Sequence, residues 1–178
     1  MWESDLAFTL YAATVPSCLQ ILSSVERLVA KAEAFCTERG LSPEALIDAR
    51  LAEDMQPFAY QVKSTSVHSI GAFEGVRKGE FSPDTSPLPT SFEELHARVT
   101  ATVTSLKAID PEEIESFIGR DMRFTFGSSH IDFLAEDFLL SFSQPNFYFH
   151  ATTAYDILRM KGLEIGKRDF NGRVRKKP

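Results

Sequence analysis

The chain is poor in cysteine and tryptophan: two Cys and one Trp in 178 residues, against fifteen Phe. Cys18 and Cys36 fall in one predicted helix and lie too far apart along it to pair, since a disulfide needs Cα atoms within about 7 Å. Two unpaired thiols suit a reducing compartment, so a cytoplasmic protein is expected, with both cysteines as small core residues. A basic surplus is also missing. Nineteen Lys and Arg stand against 25 Asp and Glu, for a formal charge of −6, which leaves no coherent basic face for nucleic acid. The one basic cluster, Arg173, Arg175, Lys176 and Lys177, reads as part of a loose tail over 171–178. No apolar run approaches the roughly 20 residues of a membrane span. The opening MWESDLAF starts with acids and lacks the order of a secretion signal. Glycine-rich phosphate loops, paired-cysteine motifs and nucleophile elbows are absent, and the chemistries they carry lose their usual signature.

What is present is helical periodicity around a Phe-rich core. With 43% hydrophobic residues, the chain can bury one core, and a single domain over 1–178 is expected. Val15, Cys18, Leu22, Val25, Val29, Ala32 and Cys36 recur at three- and four-residue steps, predicting a helix from Leu10 to Arg39 that stops at Gly40. Pro16 sits in its first turns and could delay the regular helix to that point. Ser42-Pro43-Glu44 reads as an N-cap, an N1 proline and a first-turn acid opening a short helix to Ala49. Pro57 should open a second long helix reaching Glu74. A surface loop rich in Gly, Pro and Ser should follow from Gly75 to Thr90. Ser91 and Glu94 form a capping box for a third helix, and Asp110-Pro111 starts a short one. Met122–Phe126 and Ile131–Leu134 alternate around Gly127-Ser128-Ser129, predicting a β-hairpin. A fourth helix is expected from Glu136 to Lys161, kinked at Gln144-Pro145, with a carbonyl freed near Ser141. The fold class is therefore all-α: a four-helix bundle with short accessory helices and a small hairpin before the last helix.

The candidate site is built on that kink. Asn146, His150, Thr153 and Ile157 share one face, with Phe142, Phe149 and Leu158 as core-facing bulk. Asn146 precedes His150 by one turn and is placed to orient the imidazole and fix its tautomer. His68 lies on the second helix with Gln61 and Thr65 on its stripe. If those helices face each other, His68 and His150 share one cavity. Two His are too few for a convincing metal centre by spacing, since catalytic zinc commonly has three protein ligands. His96 and His130 read as surface residues. Asp54 reads as a capping acid before Pro57 or, alternatively, as a pocket carboxylate.

The segments TLYAATVP, RLAEDMQPFAYQV and PNFYFHATTAYDILRMKGLEIGKRDF, in that order, resemble domain-of-unknown-function family 1993, which is grouped with the DinB/YfiT-like four-helix bundles. The resemblance runs from Leu10 to Phe170. It implies a DinB-like bundle around a central cavity. In the wider superfamily that cavity often holds a divalent metal on three His, one on the second helix and two spaced four apart on the last. Some members transfer or isomerise small molecules with low-molecular-weight thiols. Carried over, the ligand positions fall at His68, His150 and Ala154, and the last cannot bind metal. Ala12, Val67 and Ile70 stand where the family pattern implies charged residues, which suggests a less polar cavity.

The expected function is binding of a small apolar molecule by a cytoplasmic DinB-like bundle. If it catalyses, it does so as a metal-independent isomerase, cyclase or lyase, with His150 and Asn146 as catalytic residues. His68, Gln61, Tyr11, Thr65, Thr153 and Tyr155 would contact substrate. No cofactor is expected. A divalent metal on His68 and His150, in a transferase or hydrolase, is the alternative. A non-enzymatic homodimeric accessory protein is another.

Overall fold

The computed structural model describes residues 8–177. The reading of the N-terminus as no secretion signal falls mainly on residues 1–7, outside the described residues. Helix α1 spans Leu10–Arg39, and all seven residues of the predicted stripe are buried. The Thr9 hydroxyl accepts the amide of Ala12, and the Glu115 carboxylate takes those of Leu10 and Tyr11 at 3.2 and 2.8 Å. These acceptors satisfy amides that have no intrahelical partner. They also explain why Pro16 lies inside α1 instead of opening it, because the N-terminal turns are held from outside. At the other end, Gly40 adopts φ 61°, the left-handed conformation glycine takes most readily.

In the short α2 (Glu44–Ile47), Pro43 and not Ser42 occupies the N-cap position, and no side chain caps it. The expected second long helix is in fact two, α3 (Phe58–Val67) and α4 (Ile70–Lys78). The break falls at His68 and Ser69. There the Ser69 hydroxyl donates to the Thr65 carbonyl at 2.6 Å, a side-chain bond that competes with helix continuation. Helix α4 also runs past Gly75, so the loop starts later than expected. Strand β1 (Glu80–Phe81) then packs on the helix. A Cβ on Gly75 would lie 3.1 Å from Phe81, so the glycine serves close packing here and does not mark a turn.

Helix α5 (Phe92–Lys107) is capped by Ser91, which accepts the Glu94 amide at 3.1 Å. The reciprocal half of the box differs, since Glu94 takes the Thr90 amide at 2.7 Å. Asp110 caps α6 (Pro111–Glu115). Strands β2 (Asp121–Phe126) and β3 (Ser129–Leu134) pair antiparallel across Gly127-Ser128, and β1 joins β2 in parallel, giving a mixed sheet in the order β1-β2-β3. The sequence signal for a lone hairpin missed β1.

The last long segment comprises α7 (Ala135–Asp137), a π-helical turn over Phe138–Ser143, and α8 (Gln144–Met160). The expected proline kink is thus taken up as a wide turn immediately before Pro145, which sits in the first turn of α8. The amide just before it, that of Gln144, reaches five residues back to the Leu139 carbonyl, so the missing Pro145 amide falls where the ladder changes register. Helix α9 (Lys167–Asn171) follows.

The chain is mostly helical. α1 packs against α5 and α8, while α3 packs against the same two helices from the other side. The core fills the space between them with Leu22, Phe58, Phe73, Phe138 and Phe147. Cys18 and Cys36 are buried and unbonded, and burial pushes the Cys18 thiol up to about 12. Residues 172–177, where a loose tail is expected, lie along α1, with the Arg175 guanidinium donating to Ser17 at 3.2 Å and Gln20 at 3.3 Å. Among the described residues no helix is long and apolar enough to cross a membrane.

Candidate functional site

Packing of α3 on α8 brings the break after α3 against the π-helical turn before α8. His68 caps α3, and Ser143 ends the wide turn. The Ser143 hydroxyl lies 3.1 Å from the His68 carbonyl and 3.4 Å from His68 Nδ1. Donating to the carbonyl, it accepts from Nδ1–H. Nearly two turns into α8, His150 presents Nδ1 to Gln61 Oε1 at 2.7 Å. The Gln61 amide nitrogen donates to the Gln56 carbonyl at 2.9 Å, which fixes the amide so that its oxygen faces the imidazole. An amide oxygen only accepts, so His150 carries its proton on Nδ1.

Both imidazoles therefore keep an unprotonated Nε2, and neither Nε2 has a hydrogen-bond partner among the described residues. No side-chain nitrogen or oxygen there is both fully buried and unpartnered, so these lone pairs meet open space. The two rings stack with centroids 5.6 Å apart and planes 19° from parallel. They border a cavity of about 300 Å³ between α3, α8, β2 and the 82–90 loop. Burial pushes the pKa of both down to about 4, and for His68 the neighbouring His150 pushes the same way. Both are neutral at pH 7.

Lys63 lies fully buried on the cavity wall. Its ammonium donates to the carbonyls of Ser86 at 2.6 Å and Asp84 at 3.2 Å, and pairs with the Asp84 carboxylate at 3.3 Å. Burial raises the Asp84 pKa, but Ser86 and Lys63 outweigh it and leave the carboxyl below its usual range. Lys63 thereby ties the 82–90 loop to α3.

The other expectations divide. Asn146 lines the cavity, but it does not orient His150. Its amide donates to the Phe142 carbonyl at 2.7 Å, one residue from Ser141, near which a freed carbonyl was expected. The wide turn frees local acceptors and Asn146 is spent on one of them, which leaves Gln61 to hold the imidazole. Thr65 and Thr153 donate to Val62 and Phe149 within their own helices. Tyr11 packs on the core beneath the α1 N-terminus, and Tyr155 lies edge-on to Phe170 at 6.0 Å. None of these four borders the cavity. Phe149 is 55% exposed, one residue and about 100° round the helix from the buried His150. Asp54 is exposed in a turn and caps nothing. His96 lies 3.3 Å from Glu33 and the exposed His130 lies 3.8 Å from Asp132.

Tyr60, Ser64, Lys63 and Asp84 were missed. A four-residue step back from His68 reaches Ser64 and then Tyr60, so that helical row carried the signal for two of them. Lys63 reads as solvent-facing in any pattern, and Asp84 sits in a loop without periodicity.

The donor set does not fit three His around a metal. Ala154, a fully buried methyl, occupies the third position, and among the described residues no three His, Cys, Asp or Glu gather to hold an ion.

A family profile described as "Domain of unknown function (DUF1993)" matches residues 10–171. The crystal structure of a DinB family member protein from Shewanella denitrificans superposes with a TM-score of 0.77 at 25% identity, covering 95% of each chain. Among the curated proteins nothing matches this sequence.

Proposed function

The chain belongs to the DUF1993 family, and we propose that it is a small-molecule-binding four-helix bundle of the DinB-like kind, working without a metal. In this reading His150 serves the ligand through Nε2, as hydrogen-bond acceptor or neutral base, and His68 supplies a second acceptor. The observation that carries the proposal is the clamp from Gln56 through Gln61 to His150 Nδ1, closed at 2.7 Å. A histidine that only filled the core would not need its tautomer set by two successive bonds, the one to the ring fully buried, with the opposite nitrogen left free.

The low pKa narrows the chemistry. At neutral pH the His150 ring is unprotonated, so through Nε2 it accepts and does not donate, and a pKa of about 4 makes it a weak base, which favours hydrogen-bond acceptance over proton abstraction. Isomerisation, cyclisation or elimination at this site would draw on a substrate proton already acidic enough for such a weak base. Asn146 contributes a polar group to the wall and leaves orientation to Gln61.

The chain carries its own controls for a test, because His96 and His130 lie outside the cavity. Imidazole NMR signals of all four His are followed while a library of small neutral fragments is added. The proposal requires ligands that shift His68 and His150 together and leave His130 in place. It fails if the library moves only His96 and His130, or if His150→Ala leaves every fragment affinity unchanged.

A further inference from the structure

The ring systems around the cavity are more numerous than a general apolar pocket requires. Tyr60, His150, His68, Phe81, Phe142 and Phe124 all border it, and they touch in an unbroken series. Tyr60 meets His150 edge-on at 5.7 Å, His150 stacks on His68, and His68 lies 5.6 Å from Phe81 and 6.1 Å from Phe142. Phe142 then meets Phe124 at 4.8 Å. Aromatic walls favour flat aromatic guests through offset and edge contacts.

The polar groups are equally selective. Both imidazoles border the space, each with an accessible, unpartnered Nε2 and with its N–H engaged elsewhere. The Asn146 amide nitrogen is engaged by Phe142. The ammonium of Lys63 is spent on two carbonyls and on Asp84, so it offers nothing to an incoming anion. What remains is the two imidazole acceptors beside the Tyr60 and Ser64 hydroxyls, which can donate or accept, and no unpaired cation, since Lys63 and Asp84 neutralise each other.

Resting on the binding role proposed above, we infer that the ligand is a neutral aromatic alcohol: a phenol of one or two rings whose hydroxyl donates to Nε2 of His150 or His68. The volume of about 300 Å³ stands at the small end of ligand sites and sets that size. A carboxylated aromatic would bury its charge with no unpaired cation to meet it, a desolvation cost the neutral phenol avoids. Plain aromatic hydrocarbons fit the walls but leave both lone pairs unmet.

Three probes of one shape separate these classes: 2-naphthol, naphthalene and 2-naphthoate. Calorimetry gives affinities, and the His68 and His150 NMR signals locate binding. The expectation is that 2-naphthol binds about tenfold or more tightly than naphthalene, as one buried hydrogen bond implies, and that 2-naphthoate does not bind. In the double variant His68→Phe with His150→Phe, which keeps both rings and removes both acceptors, the naphthol preference should shrink toward unity while naphthalene still binds. Equal affinity for naphthol and naphthalene, or tighter binding of naphthoate, overturns the phenol assignment and leaves the pocket reading standing. If no probe and no library fragment moves the two His signals, both fall together.

Discussion

Gln61 on α3 holds His150 on α8 through a 2.7 Å contact between its amide oxygen and Nδ1. The contact spans two helices and 89 positions of sequence, and it sets which nitrogen of the ring is free. Replacing the amide with a carboxylate tests its electrostatic meaning. In Gln61→Glu a negative charge would sit where a neutral oxygen now does, favouring the imidazolium. The His150 pKa should rise from about 4 by about one unit or more, seen in an NMR pH titration of its ring protons. Gln61→Leu should produce no such rise and should mix the two tautomers. An unmoved His150 in Gln61→Glu would show that this contact does not govern the ring.

The paired rings also make stability depend on pH, with a definite sign. Their folded pKa values, about 4, lie below the ordinary 6.5. Between those limits the unfolded chain binds protons that the folded chain refuses, so stability falls as pH falls. Their contribution is complete above about pH 6.5 and is lost progressively down to about pH 4, on the order of 3 kcal/mol each at most. The charged groups facing the rings, Lys63 and Asp84, are paired, and the Asp84 carboxyl is held below its usual range despite burial, so it stays charged through this window. Urea unfolding from pH 8 to pH 4 should show the slope, and His68→Phe with His150→Phe should flatten it. A wild-type profile flat over that range would contradict buried neutral rings.

Metal independence is checked by removal. Dialysis against a strong chelator should leave the melting temperature and fragment affinities unchanged, because nothing at Ala154 completes a ligand set. Elemental analysis that found one zinc, nickel, manganese or iron per chain, lost together with stability on chelation, would restore the metal-dependent alternative.

Where the site was legible in sequence follows from the range of the forces involved. Helical periodicity places Gln61 and His150 on buried stripes, while the facing of the second and last helices stays a condition in the sequence, because periodicity does not say which stripes meet. Most of α1 and its glycine stop could be read, since they rest on local rules. The break at Ser69 and the wide turn at Phe138–Ser143 could not. Each is stable because the other faces it, with Ser143 bonded to the His68 carbonyl. Asn146 misled for the same reason. The one-turn rule paired it with His150, while the wide turn offered it the Phe142 carbonyl and Gln61 arrived from another helix. Strand β1 is two residues long and exists only because Phe81 finds Phe124 and Phe138.

Lys63 gives the last prediction, since its role is visible only in three dimensions. A fully buried ammonium needs partners, and it has three oxygens from the 82–90 loop. In Lys63→Met the apolar stem is preserved but those oxygens lose their donor. The two carbonyls and the Asp84 carboxylate must then find water or move. Because Asp84 is 31% exposed, solvent softens the loss, and about 2 kcal/mol of destabilisation is expected in place of the larger cost of a fully buried broken pair. Asp84→Asn should cost under about 1 kcal/mol, since the ammonium keeps the Ser86 carbonyl at 2.6 Å and an amide oxygen can still accept. Loop opening should accompany the loss, seen as faster proteolysis between residues 82 and 90 in Lys63→Met than in Asp84→Asn. Fragment affinity should fall in Lys63→Met as well, because Pro83 and Asp84 form part of the cavity wall. Should Lys63→Met unfold at the wild-type denaturant midpoint with the loop still protected, the ammonium would not be what fastens that wall.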